Sequence, residues 1–147
     1  MIYILIIIVG IVLDRITKIY AVKHFISNPY STSLINLTYL ENRGAAFGIL
    51  QDKRILFVIL TIAIVLYLLY YFITNLKSNP PVLNIAFSLI ISGALGNFYD
   101  RLFQGYVVDF LEFAFVDFPV FNIADILVTV GCGLLIIYIL VHGEKRS

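Results

Sequence analysis

Among the residues that could carry chemistry, the carboxylates Asp109 and Asp125 stand apart, because neither has a cationic residue within four positions. Asp109 sits in an apolar run, Tyr106 to Phe113, broken only by itself and Glu112. Burial without a cation favours the protonated carboxyl. Asp125 follows Asn122 by three positions, the spacing of a capping box, which offers a purely structural reading as a helix-start residue. A helix N-terminus also favours the anion, so the two carboxylates would differ in proton affinity. Two carboxylates sharing one site do not both ionise easily, and one charged and one protonated group form an acid/base pair of the aspartic-protease kind. The charged member would take a proton from a water attacking a scissile carbonyl, while the other polarises that carbonyl and later protonates the leaving amine. Such a pair titrates as a unit. Spacing alone does not bring the two together, so the fold must.

Other chemistries find less support. There is no HExxH motif or Cys/His cluster, so neither a metal nor any cofactor is expected. Cys132, the single cysteine, lies in an apolar helix with no nearby base and reads as a small buried residue. Ser88 and Ser92 lack a partnered His or Lys on their own helix, and the glycines match no phosphate-binding loop. Asp14 and Lys18, four apart, share a helix face and read first as a buried ion pair. Asp100, beside Arg101 and three residues after Asn97, reads as a structural or positioning charge.

The elements that must hold these groups are hydrophobic. Of 147 residues, 61% are hydrophobic and 13% charged, with a mean hydropathy of +1.00. Soluble domains are about 25% charged, so the composition points to an integral membrane protein forming one domain over 1–147. A net charge of +1 argues against a nucleic-acid partner. The run Met1 to Val9 lacks a basic start and a small-residue cleavage site, and reads as a retained first span.

Four spans are predicted, at about 2–22, 55–73, 81–101 and 122–141, giving an all-α four-helix bundle. The third starts at Pro80-Pro81 and carries Asn84, Ser88, Ser92, Gly93, Gly96 and Asn97. Small residues allow close helix approach and polar ones avoid lipid, so this helix should be central. The long connections Lys23–Arg54 and Leu102–Phe121 share one side, with both termini on the other. Leu34 to Glu41 is rich in strand formers, and Gly44 and Gly48 bracket a turn, which predicts a short strand pair on the membrane surface. Phe113, Phe115, Phe118 and Phe121 suit either an interfacial aromatic belt or a cover over substrate. Counting Lys and Arg places the long connections in the cytoplasm.

The chain resembles bacterial lipoprotein signal peptidase, the type II signal peptidase, over nearly its whole length. The matching blocks are DRITK at Asp14–Lys18, NRGAAFG at Asn42–Gly48, SGALGNFYDR at Ser92–Arg101, VVDF at Val107–Phe110 and FNIAD at Phe121–Asp125. Each is weak alone, but five in order on a four-span chain are specific. Arg15 and Ser92 stand where glutamine and glycine are common in the family. The resemblance implies an aspartyl endopeptidase of the bacterial cytoplasmic membrane, acting among membrane lipids on prolipoproteins whose lipobox cysteine already carries diacylglycerol and cutting just before that cysteine; since one chain suffices for that chemistry, a monomer is expected. It places the catalytic pair on Asp109 and Asp125, and site-lining or substrate-positioning roles on Asn42, Gly44, Asn97, Arg101 and Asn122. Asp14 and Lys18 fall in a supporting block, with Asp100 in a similar role. It also puts the termini in the cytoplasm and the site outside, against the charge count.

Three rivals are carried, one of them a structural bundle partner in which all these aspartates would be replaceable. An intramembrane protease of the presenilin type is suggested only by Tyr99-Asp100 and lacks its accompanying glycine element. A small transporter or channel subunit would use Asp14, Asp100 and Arg101 as a polar pathway.

Overall fold

The computed structural model describes residues 1–44 and 53–143 of the chain. The Gly48 end of the expected turn, the second half of the block beginning at Asn42 and residues 144–147 therefore lie outside the described residues. Four helices dominate: α1 (Ile2–His24), α2 (Arg54–Asn75), α3 (Pro81–Phe103) and α4 (Ile123–Gly143). Each helix has the length that a ~30 Å apolar slab demands at ~1.5 Å per residue. α2, α3 and α4 are long and apolar enough to cross a membrane. α1 matches them in length at 23 residues, but Asp14, Arg15 and Lys18 interrupt its apolar run.

Pro81 opens α3, where a missing backbone N–H costs nothing. Over half of the apolar window of α3 is buried (56%), against 11% for α2 and for α4, so α3 is the central helix. The other helices turn large apolar side chains outward, among them Ile4, Ile8, Ile59, Tyr70, Ile137 and Leu140. That distribution is the reverse of a soluble bundle and suits a hydrocarbon surround.

Small residues set the helix spacing. A Cβ on Gly93 would run into the Ala124 carbonyl oxygen, and one on Gly131 would stand 2.8 Å from the Ala86 oxygen and 2.7 Å from Ile90 Cγ1. Both lie where α3 meets α4. At one end of the bundle Phe72, Leu83, Phe87 and Ile91 form an apolar core. At the other, Ala21, Val108 and Phe110 form a second one, joined by Phe25, Tyr39 and Ile123. Between the two cores lies the polar band of Asp14, Lys18, Asn97 and Asp100.

The β element is larger than expected. The expected strand pair within the first long connection is present as β1 (Tyr30–Ser31) and β2 (Ile35–Asn42), and β3 (Val107–Phe113) extends it to one antiparallel sheet in that order. β3 comes from the second long connection, in the run Tyr106 to Phe113 whose apolarity was read as burial alone. Its first four residues are buried on both faces, which erases the alternation that marks a surface strand. Leu37 pairs with Leu111 and Leu40 with Asp109, so Thr38 and Tyr39 stand against Phe110 alone in a β-bulge. After the bulge the register sets Asn42 against Val107 and Leu40 against Asp109.

The α3–α4 contact is testable. Gly131→Val should cost about 1–3 kcal/mol through overpacking, read as a lower melting temperature in detergent. Gly133→Ala should leave melting unchanged, since a Cβ there meets nothing within 4 Å. Equal melting of the two variants would count against a close-packed α3–α4 seam.

Candidate active site

Asp109 and Asp125 reach one cavity from different elements. Asp109 is carried by β3 and is 1% exposed; Asp125 stands in the first turn of α4. The cavity holds about 440 Å³ and is polar at one end, with Asn42, Arg101, Asp109, Asp125 and Thr129. The remainder is lined by Phe113, Phe118, Pro119, Val120, Phe121, Ile126 and Val130. Of the aromatic residues in the β3–α4 connection, Phe113, Phe118 and Phe121 thus line the cavity, packed ring on ring at 5.0–6.0 Å, while Phe115 is exposed.

Each of the four carboxylate oxygens receives a donor. Asn122 Nδ2 donates to Asp109 Oδ1 at 2.6 Å, and Asn42 Nδ2 to Asp109 Oδ2 at 2.9 Å. Asn97 Nδ2 donates to Asp125 Oδ1 at 2.7 Å. The Asn122 backbone N–H donates to Asp125 Oδ2 at 3.1 Å, and the Asp125 N–H returns a bond to Asn122 Oδ1 at 3.0 Å. The capping box is therefore real, and it does not exclude the other reading: Asp125 caps α4 with one oxygen and faces Asn97 with the other.

All three asparagines have fixed polarity. Asn42 Oδ1 accepts from the Gly44 N–H at 3.0 Å, Asn122 Oδ1 from the Asp125 N–H, and Asn97 Oδ1 from Lys18 Nζ at 2.9 Å. With the oxygens so occupied, the amide NH2 groups can only point at the carboxylates. Arg101 supports the Asn42 turn by donating to the Gly44 carbonyl at 3.3 Å, and its guanidinium lies 4.9 Å over the Phe57 ring.

Asp14, Lys18 and Asp100 do not reach the cavity. They form a buried cluster behind it. Lys18 Nζ lies 2.9 Å from Asp14 Oδ2 and 2.9 Å from Asp100 Oδ2. Asp14 Oδ1 accepts the Ala124 N–H at 3.0 Å, capping α4 from α1. Asp100 Oδ1 takes Arg15 at 2.5 Å and Gln104 at 3.1 Å. The ion pair expected at Asp14 and Lys18 is thus present within a larger network. Arg15, Gln104 and Thr129 escaped the sequence reading. Thr129 carried a usable signal, lying one helical turn beyond Asp125; Arg15 and Gln104 reach Asp100 only through the fold.

Comparison with known proteins places this arrangement. The profile of the family described as signal peptidase (SPase) II matches residues 6–141. The chain belongs to the signal peptidase II family. It is 47% identical to the lipoprotein signal peptidase of Clostridium tetani over 143 residues, covering 93% of this chain and 91% of that protein. It is also 47% identical to the lipoprotein signal peptidase of Clostridium novyi, covering 96% and 99%. A bacterial membrane enzyme solved by the in meso method at 2.3 Å resolution shares the fold with a TM-score of 0.90 at 39% identity, over 99% of this chain and 91% of that one.

Asp109 is the less solvated carboxyl, and burial, reinforced by the Asp125 charge, pushes its pKa from 3.8 up to about 7. The folded protein thus holds this proton more tightly than the unfolded chain, so the stability from this group is complete below about pH 4 and lost as pH rises towards about 7. Asp109→Asn removes the titration. The melting temperature of wild type relative to that variant should fall from pH 4 to pH 7 and then level; a constant difference would contradict the buried, proton-retaining Asp109.

Proposed function

We propose that this protein is an aspartyl endopeptidase that removes the signal peptide from diacylglyceryl-modified prolipoproteins, cutting before the lipidated cysteine. The observation that carries the reading is that Asp109 and Asp125, carried by a strand and a helix, line one cavity with every carboxylate oxygen supplied with a donor, in a chain of the signal peptidase II family. The lipoprotein signal peptidases it resembles supply the substrate class.

Near neutral pH the pair holds one proton, on the more buried Asp109. Asp125, at the N-terminus of α4, acts as the base and takes a proton from the attacking water. The Asp109 proton polarises the scissile carbonyl and passes to the leaving amine as the tetrahedral intermediate collapses. Arg101, at the polar end of the cavity, holds the backbone turn that presents Asn42 and lends positive potential to the developing oxyanion. The apolar lining accepts a hydrophobic signal-peptide segment, whereas the diacylglyceryl chains remain in lipid beside the bundle.

In this reading α1 crosses the membrane with the other three helices, its charges hidden against α3. The termini lie in the cytoplasm and the sheet and cavity at the outer face of the bacterial cytoplasmic membrane. One chain suffices for the chemistry. A transport pathway through Asp14 and Asp100 fits less well, because both are sealed from solvent at 1% and 0% exposure and tied into ion pairs.

Purified protein in lipid, given a diacylglyceryl-modified prolipoprotein, should release signal peptide. Asp109→Asn and Asp125→Asn should each lower kcat by about 10²–10⁴-fold or more while still folding. A folded variant that cleaves at the wild-type rate would refute the pair.

A further inference from the structure

The network behind the cavity includes one group that reaches Asn97 and can only donate. Lys18 is 0% exposed, and its ammonium has three hydrogens and no acceptor. Those three go to Asp14 Oδ2, Asp100 Oδ2 and Asn97 Oδ1, each at 2.9 Å. The Asn97 amide could in principle sit either way round. Flipped, it would set its NH2 against the ammonium and its oxygen against Asp125, two repulsive contacts in place of two bonds. Asn122 Nδ2 also reaches Asn97 Oδ1, at 3.1 Å, but its two hydrogens have Asp109 Oδ1 and the Val108 carbonyl as further acceptors. Only Lys18 is committed.

We propose that Lys18 is a positioning residue for the reaction: by occupying the Asn97 side-chain oxygen it turns the Asn97 NH2 onto Asp125 and keeps that carboxylate the proton acceptor of the pair. Lys18 touches neither the cavity nor substrate, and acts only through Asn97. This rests on the reading of Asp109 and Asp125 as the reacting pair. The charged groups around Asp125 are Lys18 and Asp14 from α1, Arg101 and Asp100 from α3, and Asp109 from β3. Arg15 is taken up by Asp100. Removing Lys18 alone would strand two buried carboxylates opposite Arg15, so its role must be isolated in a charge-balanced background.

The double variant Asp14→Asn/Lys18→Met, compared with wild type, keeps that balance by leaving Asp100 with Arg15, and Asp14→Asn alone is the control that retains the ammonium beside Asn97. In lipid, with a diacylglyceryl-modified prolipoprotein, kcat and KM are measured from pH 4.5 to 8.5 for wild type, the control and the double variant. With the lock lost, the low-pH arm of the kcat profile of the double variant should move up by about one pH unit or more, a tenfold loss on that arm. KM should stay within about twofold, because no substrate contact changes. A purely structural lysine would lower the amount of folded enzyme and leave the arm in place, and an unmoved arm overturns the proposal.

Should the double variant not fold, Asn97→Asp gives the same test. It keeps a partner for Lys18 but offers Asp125 an acceptor, so the arm must again move up; an unmoved arm again overturns the proposal. Wild-type cleavage by Asp125→Asn would instead refute the dyad, an outcome distinct from a dead dyad variant alongside an unmoved arm.

Discussion

Lys18 gives all three of its ammonium hydrogens to groups from α1 and α3, and through them it sets where α4 and β3 begin. Asp14, held by Lys18 on one oxygen, caps the N-terminus of α4 through the Ala124 N–H on the other. Asp100, held by Lys18 and Arg15, accepts the Val108 N–H at 3.4 Å at the start of β3. Two carboxylates and two cations balance, and among the described residues no buried side-chain nitrogen or oxygen lacks a partner. That balance matters because a lone buried charge costs several kcal/mol, whereas a saturated cluster recovers most of that penalty. The cluster thus ties the origins of the two candidate catalytic elements to the same four side chains.

Close approach is the condition for those short contacts. Gly96 lies against Asp14, and a Cβ there would collide with the carboxylate; Gly93 lets Ala124 reach the backbone of α3. A larger residue at either place would move α4 away from the cluster and carry Asp125 with it. The small residues of α3 therefore serve the site through distance alone, with no chemistry of their own.

Much of this was legible in the chain. The helix boundaries follow the apolar runs within a few residues, and the central place of α3 follows from its small and polar residues, which lipid would not tolerate. The 122/125 spacing announced the capping box. The sheet was half legible: Leu34 to Glu41 showed strand formers, but β3 is buried on both faces and reads as a plain apolar run. Pairing between segments some 70 positions apart leaves no local signal, and neither does a bulge such as that at Thr38 and Tyr39. Nor could composition tell that Asn42, Asn97 and Asn122 all turn their NH2 groups inward. That follows from the partners of their oxygens, which the fold alone brings together.

The cavity owes its asymmetry to the same logic. Asp109 hangs from a strand whose surroundings exclude water, so it retains a proton to higher pH; Asp125 stands at a helix start and accepts the Asn122 backbone N–H. The two carboxylates thus stand in unlike surroundings. A strand and a helix N-terminus meeting at the end of an apolar bundle supply the difference from backbone geometry. The asparagines work against it, because the Asn42 and Asn122 donors favour the Asp109 anion and burial must outweigh them. In a protein with so few polar side chains, the groups that close the fold also reach the cavity, for Lys18 holds Asn97 and Asn97 in turn donates to Asp125.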